Sequence, residues 1–141
     1  MTRILILCTG NSCRSQIAEG FLKKIISGKK INAEVFSAGI EAHGLNPFAV
    51  KVMNEIGVSI SQQQSKTSDK FLNENFDFVI TVCDSAKENC PVFPNAKNKI
   101  HKNFSDPAKT TGTEEEILNE FRKVRDEIGK FCKKFMEEIL T

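Results

Sequence analysis

The strongest constraint on the fold is a short apolar run, Arg3–Leu7 (RILIL), that stops at a cysteine and leads through a glycine-containing polar loop into a helical pattern. A continuous run of that length is what a parallel strand buried on both faces looks like. After the loop, Ile17, Ala18, Phe21, Leu22, Ile25 and Ile26 fall on one helical face until Ser27 and Gly28 close it. The order strand, loop, helix then repeats. Ala33–Ala38 reads as a second strand ended by Gly39, and Asn46-Pro47 starts a helix carrying Ala49, Val50, Met53 and Ile56, with Gly57 as its C-cap.

Residues 59–68 are polar and read as a loop, with a short helix around Asp69–Asn73. Phe76–Val82 (FDFVITV) is the clearest strand, and it too ends at a cysteine, Cys83. Lys99–Phe104 is expected to form a fourth strand leading into Ser105-Asp106-Pro107. Thr113 and Glu116 make a capping box for a last helix whose apolar positions, Ile117 through Ile139, keep helical spacing. The acidic triplet Glu114–Glu116 suits that helix's positive end and needs no ligand. Strands alternating with helices predict an α/β fold: a small, doubly wound, parallel four-stranded sheet flanked by helices, with residues 1–141 as a single domain. Ligands of such sheets sit at the carboxyl ends of the strands, where Cys8, Cys83 and Asp106 all fall.

Composition removes several function classes. With 20 Lys and Arg against 18 Asp and Glu, the net charge is +2 and the basic residues are interspersed with acidic ones, so no nucleic-acid partner is expected. No apolar run reaches the length of a membrane span, and no secretory leader is apparent, so a cytoplasmic location is expected. Five cysteines in a reducing compartment are more often catalytic or metal-binding than structural. A monomer is expected, because one core uses the helix faces.

The loop Cys8-Thr9-Gly10-Asn11-Ser12-Cys13-Arg14-Ser15 is the candidate site. A loop wrapped at a helix start aims backbone N–H groups inward, the helix dipole adds positive potential, and Arg14 offers a planar fork. That combination suits a tetrahedral oxyanion. The same field favours the thiolate of Cys8, the form that attacks. Gly10 permits the tight turn, and Ser12 or Ser15 can hydrogen-bond the Cys8 sulfur. Cys13 is either a supporting group or a bystander.

This loop, its place after the first strand, and the late Asp106-Pro107 pair resemble the low-molecular-weight protein tyrosine phosphatase fold over essentially the whole chain. The resemblance implies Cys8 as nucleophile, Arg14 as the anion-binding cation, and Asp106 as general acid. An Asp-Pro pair is also a common turn, and both readings of Asp106 stay open.

Cys83 and Cys90 decide between substrates. They flank Asp84-Ser85-Ala86-Lys87-Glu88-Asn89, a polar stretch with nothing bulky to bury, so the two sulfurs are free to meet. A phosphatase needs one thiolate; a reductase must collect two electrons and export a disulfide. A buried strand-end thiol and a zinc half-site are the competing readings, and for zinc further ligands at close spacing are missing. Thr81-Val82-Cys83, Cys90-Pro91, Ser37-Ala38-Gly39 and Val124–Ile128 together resemble the thioredoxin-coupled arsenate reductases. That resemblance implies that Cys8 attacks arsenate, that Cys83 attacks Cys8 as arsenite leaves, and that Cys90 resolves the Cys8–Cys83 disulfide. The Cys83–Cys90 disulfide is then recharged by thioredoxin, in the service of arsenic detoxification.

Phosphate or sulfate should mimic the substrate, and no organic cofactor is implied. The alternative is a phosphatase for phosphotyrosine or a small phosphate ester. Such phosphatases usually carry a tyrosine after Asp-Pro, whereas Ala108 stands here and the chain has no Tyr or Trp.

The resemblance also implies potassium beside the loop, at Asn11, Glu19 and Ser37. Lys66 stands where relatives have an aspartate, and its ammonium is expected to replace the ion, so no metal is expected; Asp69 nearby keeps the alternative open. Cys132 is read as a core residue on the last helix, and His43 and His101 as structural.

Overall fold

The computed structural model describes residues 1–84, 88, 90 and 92–139. Four parallel strands, β1 (Thr2–Cys8), β2 (Ala33–Gly39), β3 (Phe76–Thr81) and β4 (Ala96–His101), form one sheet in the order β2-β1-β3-β4. Three α-helices accompany them: α1 (Arg14–Lys29), α2 (Pro47–Glu55) and α3 (Glu114–Ile139). Short 3₁₀ turns lie at Ser68–Phe71 and Pro107–Lys109. This is the α/β architecture anticipated from the strand and helix patterns.

The chain order places β1 between β2 and β3, so successive crossovers leave β1 in opposite directions. The carboxyl end of β1 is therefore the switch point of the sheet, and Cys8 is its last residue. Ile4 through Leu7 are wholly buried, as a strand covered on both faces must be. Alternate residues divide between two cores. Ile4, Ile6, Cys8, Val35, Ile80 and Val82 join the larger one beneath α1, α2 and α3, while Leu5, Leu7, Ala38 and Val79 meet Phe71, Phe76 and Phe93 on the other side. In this second core the Phe76 ring stands nearly edge-on to Phe36, Phe71 and Phe93 at centroid distances of 6.0, 5.8 and 5.7 Å. Each such pair contributes about 0.5–1.5 kcal/mol beyond its area.

The helix ends follow their residues. Asn46 caps α2, its Oδ1 accepting from the N–H of Phe48 and of Ala49, and Gly57 at φ +76° receives the chain beyond. Thr113 and Glu116 form the reciprocal box at the start of α3. Arg125 of α3 reaches α2, donating to the Val52 carbonyl and to Glu55 at 3.0 Å each. Two boundaries move. α1 runs past Gly28 to Lys29, with Lys30 taking the left-handed turn at φ 52°. The fourth strand is Ala96–His101 rather than 99–104: it is an exposed edge strand, defined by pairing with β3 rather than by an apolar run. Phe104, read as its end, is instead a buried loop residue whose ring meets Phe131 of α3.

Candidate active site

α1 differs from the other helices where it begins. Cys13 is its N-cap and makes no side-chain capping bond, and the first turn holds no acidic residue. Its orphan N–H groups are left to something other than the protein's own carboxylates. The preceding loop is turned to match. The carbonyls of Thr9, Gly10 and Ser12 accept from the amides of Glu41, His43 and Asn46 at 3.0, 2.9 and 3.0 Å. In planar trans peptides, that turns the N–H groups of Gly10, Asn11 and Cys13 the opposite way, as an oxyanion held between them and Arg14 requires.

Asn11 is the residue that makes the turn, at φ 46°, and it is fully buried. Its Nδ2 donates to Ser15 at 2.8 Å and Ser37 at 2.9 Å, and its Oδ1 accepts from Gln16 and from the Lys66 N–H. The expectation that Gly10 supplies the turn is thereby corrected. Gly10 is needed for space, because a Cβ there would lie 2.5 Å from Nδ1 of His43. Ser15, rather than Ser12, meets Cys8: its hydroxyl is 2.8 Å from the Cys8 sulfur, both groups buried.

Arg14 is 3% exposed. It donates to the Phe104 carbonyl at 3.1 Å, and Asp106 Oδ2 lies 3.7 Å from its Nη2. Its Nε has no hydrogen-bond partner among the described residues. Burial works against its charge, but the hydrogen bonds to Glu88 and the negative charge of Asp106 and Cys8 hold it firmly protonated. Asp106 closes the turn, its Oδ1 accepting from the Ala108 N–H at 3.0 Å, and its carboxyl stands beside Arg14 in the cavity wall. Cys13 donates to Asp106 at 3.6 Å; burial, then the charges of Asp106 and Cys8, push its thiol well above the ordinary range, so it stays protonated.

These groups line a cavity of about 430 Å³ together with Thr9, Ile40, Glu41, His43, Ala108 and Lys109, and among the described residues no phenyl ring walls it. His43, read as structural, thus borders the site, with Nε2 against Glu41 at 2.5 Å. Cys83 lies two residues beyond β3, and Val82 bonds the Leu7 carbonyl, which places Cys83 in the same core as Cys8. Cys83 and Cys90 are joined as a disulfide with Cα atoms 6.0 Å apart, while Cys8, Cys13 and Cys132 are free and buried. Ser85, Ala86, Lys87, Asn89 and Pro91, part of the stretch singled out above, lie outside the described residues.

Glu88 was not singled out from the sequence, yet it is the cavity's main occupant. Its carboxylate takes both arms of Arg14, at 2.5 and 2.7 Å, and accepts from the Thr9 hydroxyl at 2.7 Å and the Asp84 N–H at 3.0 Å. Burial raises its pKa, but these bonds outweigh burial and hold the carboxyl down at about 2.

The potassium ligands implied above are satisfied by the protein. The Glu19 carboxylate is paired with Lys23 and accepts a hydrogen bond from the Ser37 hydroxyl, and Ser37 in turn accepts from Asn11. Lys23 makes the direct contact with Glu19, while Lys66, whose Nζ donates to the Gln64 carbonyl at 2.8 Å, adds its positive charge near the same carboxylate. With every ligand engaged and an ammonium already on Glu19, these residues do not fit a further monovalent cation. No cluster of three or more His, Cys, Asp or Glu able to hold a metal occurs among the described residues, and no described helix is long and apolar enough to cross a membrane.

A buried strand ending in a cysteine, a helix start with no side-chain cap and an arginine in its first turn together make the oxyanion site of a phosphatase-like α/β protein. The profile of the low molecular weight phosphotyrosine protein phosphatase family matches residues 3–141, and the chain belongs to that family. Within it the similarity is to arsenate reductases. That of Halalkalibacterium halodurans is 54% identical over 134 residues, covering 95% of this chain and 94% of the relative. An arsenate reductase solved in its phosphate-binding state superposes with a TM-score of 0.82 at 30% identity over 99% of both chains. One solved in the oxidised state gives 0.80, again at 30% identity and 99% of both chains.

Proposed function

We propose that the chain reduces arsenate to arsenite through Cys8, Cys83 and Cys90 and is recharged by thioredoxin in the cytoplasm. The observation that carries this reading is the Cys83–Cys90 disulfide beside an anion loop whose own cysteine is free. A hydrolytic phosphatase has no use for that pair.

Arsenate occupies the loop, its negative charge met by Arg14 and by the N–H groups at the start of α1. The Cys8 thiolate, hydrogen-bonded to Ser15, attacks arsenic; an arsenic–oxygen bond breaks and Asp106 gives the departing oxygen its proton. The Cys83 thiolate then attacks the Cys8 sulfur. The sulfur–arsenic bond breaks with its electron pair passing to arsenic, so arsenic falls from the +5 to the +3 state and a Cys8–Cys83 disulfide forms. Leu7 and Thr81 are register partners on adjacent strands, which keeps this exchange local. Cys90 attacks Cys83, returning Cys8 as a thiolate, and a dithiol partner reduces the Cys83–Cys90 disulfide with two electrons and two protons.

The test is arsenate-dependent NADPH oxidation with thioredoxin and thioredoxin reductase, wild type against Cys90→Ser. The variant should release no more than one arsenite per chain and show no sustained oxidation. Repeated turnover by Cys90→Ser would overturn the relay. Phosphate-ester hydrolysis that persists in both proteins, without arsenate turnover, would establish a phosphatase instead.

A further inference from the structure

We propose that Glu88 is an internal competitor for the oxyanion, holding the anion site shut while Cys83 and Cys90 are disulfide-bonded. The inference rests on the relay reading only in taking that disulfide as a turnover state.

The Glu88 carboxylate occupies the donors that an oxyanion would need. Two oxygens meet the two terminal nitrogens of Arg14 in the fork geometry that a phosphate or arsenate would use, and one of them also takes the hydroxyl of Thr9, a residue of the loop itself. Its side chain is 6% exposed, so the pair is largely withdrawn from solvent. A tetrahedral oxyanion and this carboxylate cannot both have Arg14: the donors are shared and two negative charges in one desolvated site repel. The cavity therefore holds one anion or the other.

Redox state sets which one wins. Glu88 lies two residues before Cys90, and the disulfide fixes Cys90 to Cys83, which is itself anchored where β3 ends. Held at both sides, the carboxylate competes as an intramolecular ligand at high effective concentration. When two electrons and two protons from a dithiol convert the bridge to two thiols, the tether at Cys90 is lost and a diffusing oxyanion meets a weaker rival. Linkage makes the effect reciprocal: an oxyanion that prefers the dithiol form must favour reduction of the disulfide to the same degree. Substrate is thus admitted when the electrons to reduce it are present, and ambient phosphate does not occupy a spent enzyme.

The experiment is calorimetric titration with inorganic phosphate of the disulfide form, verified by its three free thiols, and of the dithiothreitol-reduced form. Wild type is compared with Glu88→Gln and Glu88→Ala. The disulfide form of the wild type should bind phosphate at least tenfold more weakly than that of either variant, while the reduced forms of all three agree within about threefold. Equal affinity of the three disulfide forms would overturn the proposal. A second measurement needs no variant: saturating phosphate should raise the midpoint potential of the wild-type couple by about 30 mV for each tenfold preference. An unmoved potential is equally fatal. Neither readout uses arsenate turnover, so repeated turnover by Cys90→Ser would sink the relay and leave exclusion by Glu88 to be judged on binding alone.

Discussion

Substituting Gly39 by alanine should damage the anion loop from behind while leaving every side chain of the anion site unaltered. Gly39 ends β2 beside Cys8, its register partner, and a Cβ there would lie 2.7 Å from the carbonyl oxygens of Glu41 and Thr9 and 2.8 Å from the Asn11 nitrogen. Contacts of carbon with non-bonded atoms settle near 3.5 Å, so each backbone atom must retreat by roughly 0.5 Å or more. All three belong to the loop or to the segment that holds its carbonyls, and none is a side chain that can rotate aside. Overpacking of this kind costs about 1–3 kcal/mol, or roughly 3–9 °C in Tm for a chain of this size. Displacing the oxyanion donors by a few tenths of an ångström up to ~1 Å should lower kcat/KM for arsenate about 10–100-fold.

Gly129→Ala is the matched control. Its Cβ would meet the Phe21 ring at 2.7 Å, in the contact between α1 and α3 and far from the loop. It should lower Tm comparably and leave phosphate affinity within about twofold. Thermal melts and phosphate titration on both variants separate the outcomes. A Gly39→Ala protein with wild-type Tm and phosphate affinity would refute the steric reasoning, and equal losses of affinity in both variants would show that general destabilisation, not loop geometry, is the cause.

Asn11→Ala should cost about 2–4 kcal/mol in urea denaturation, since it takes the acceptor from the Lys66 N–H, removes the donor shared by buried Ser15 and Ser37, and forces alanine into the left-handed region. The Glu88–Arg14 pair predicts an acid limb confined to the disulfide form. Because the folded pKa of Glu88 is depressed from 4.5 to about 2, its contribution is fully present above pH 4.5 and is lost as pH falls through about 2. Urea midpoints between pH 5 and 2 should show that loss in the wild type and not in Glu88→Gln; parallel profiles would refute it.

The parts of the site legible in the sequence are those whose residue types have few alternative uses. A buried strand ending in cysteine, followed by an arginine at a helix start, already marks an anion loop, and the two cysteines after β3, seven residues apart, already mark a pair that the structure joins as a disulfide. What escaped reading shares one physical character: charge and backbone pairing that only the fold arranges. Glu88 in a polar stretch looks like a solvated carboxylate until Arg14 is placed opposite it. Lys23 looks like a surface lysine, but its spacing of four from Glu19 on α1 puts its ammonium on that carboxylate. β4 (AKNKIH) has no buried stripe to betray it, and the apolar residues from Ile100 to Phe104 drew the boundary three residues late.

The second core gives the chemistry an unusual modularity. Val82 is buried and bonded to β1 at one side of the cysteine pair, and Phe93, 2% exposed, is wedged against Phe76 at the other. Val82 and Phe93, on either side of the cysteine pair, are therefore fixed to the sheet by contacts that involve neither cysteine. A chain with such fixed hems can exchange the piece between them as tailors exchange a panel. The anion loop, Asp106 and both cores belong to the garment, and on the proposed relay it is the panel's two cysteines that set a reductase apart from a phosphatase.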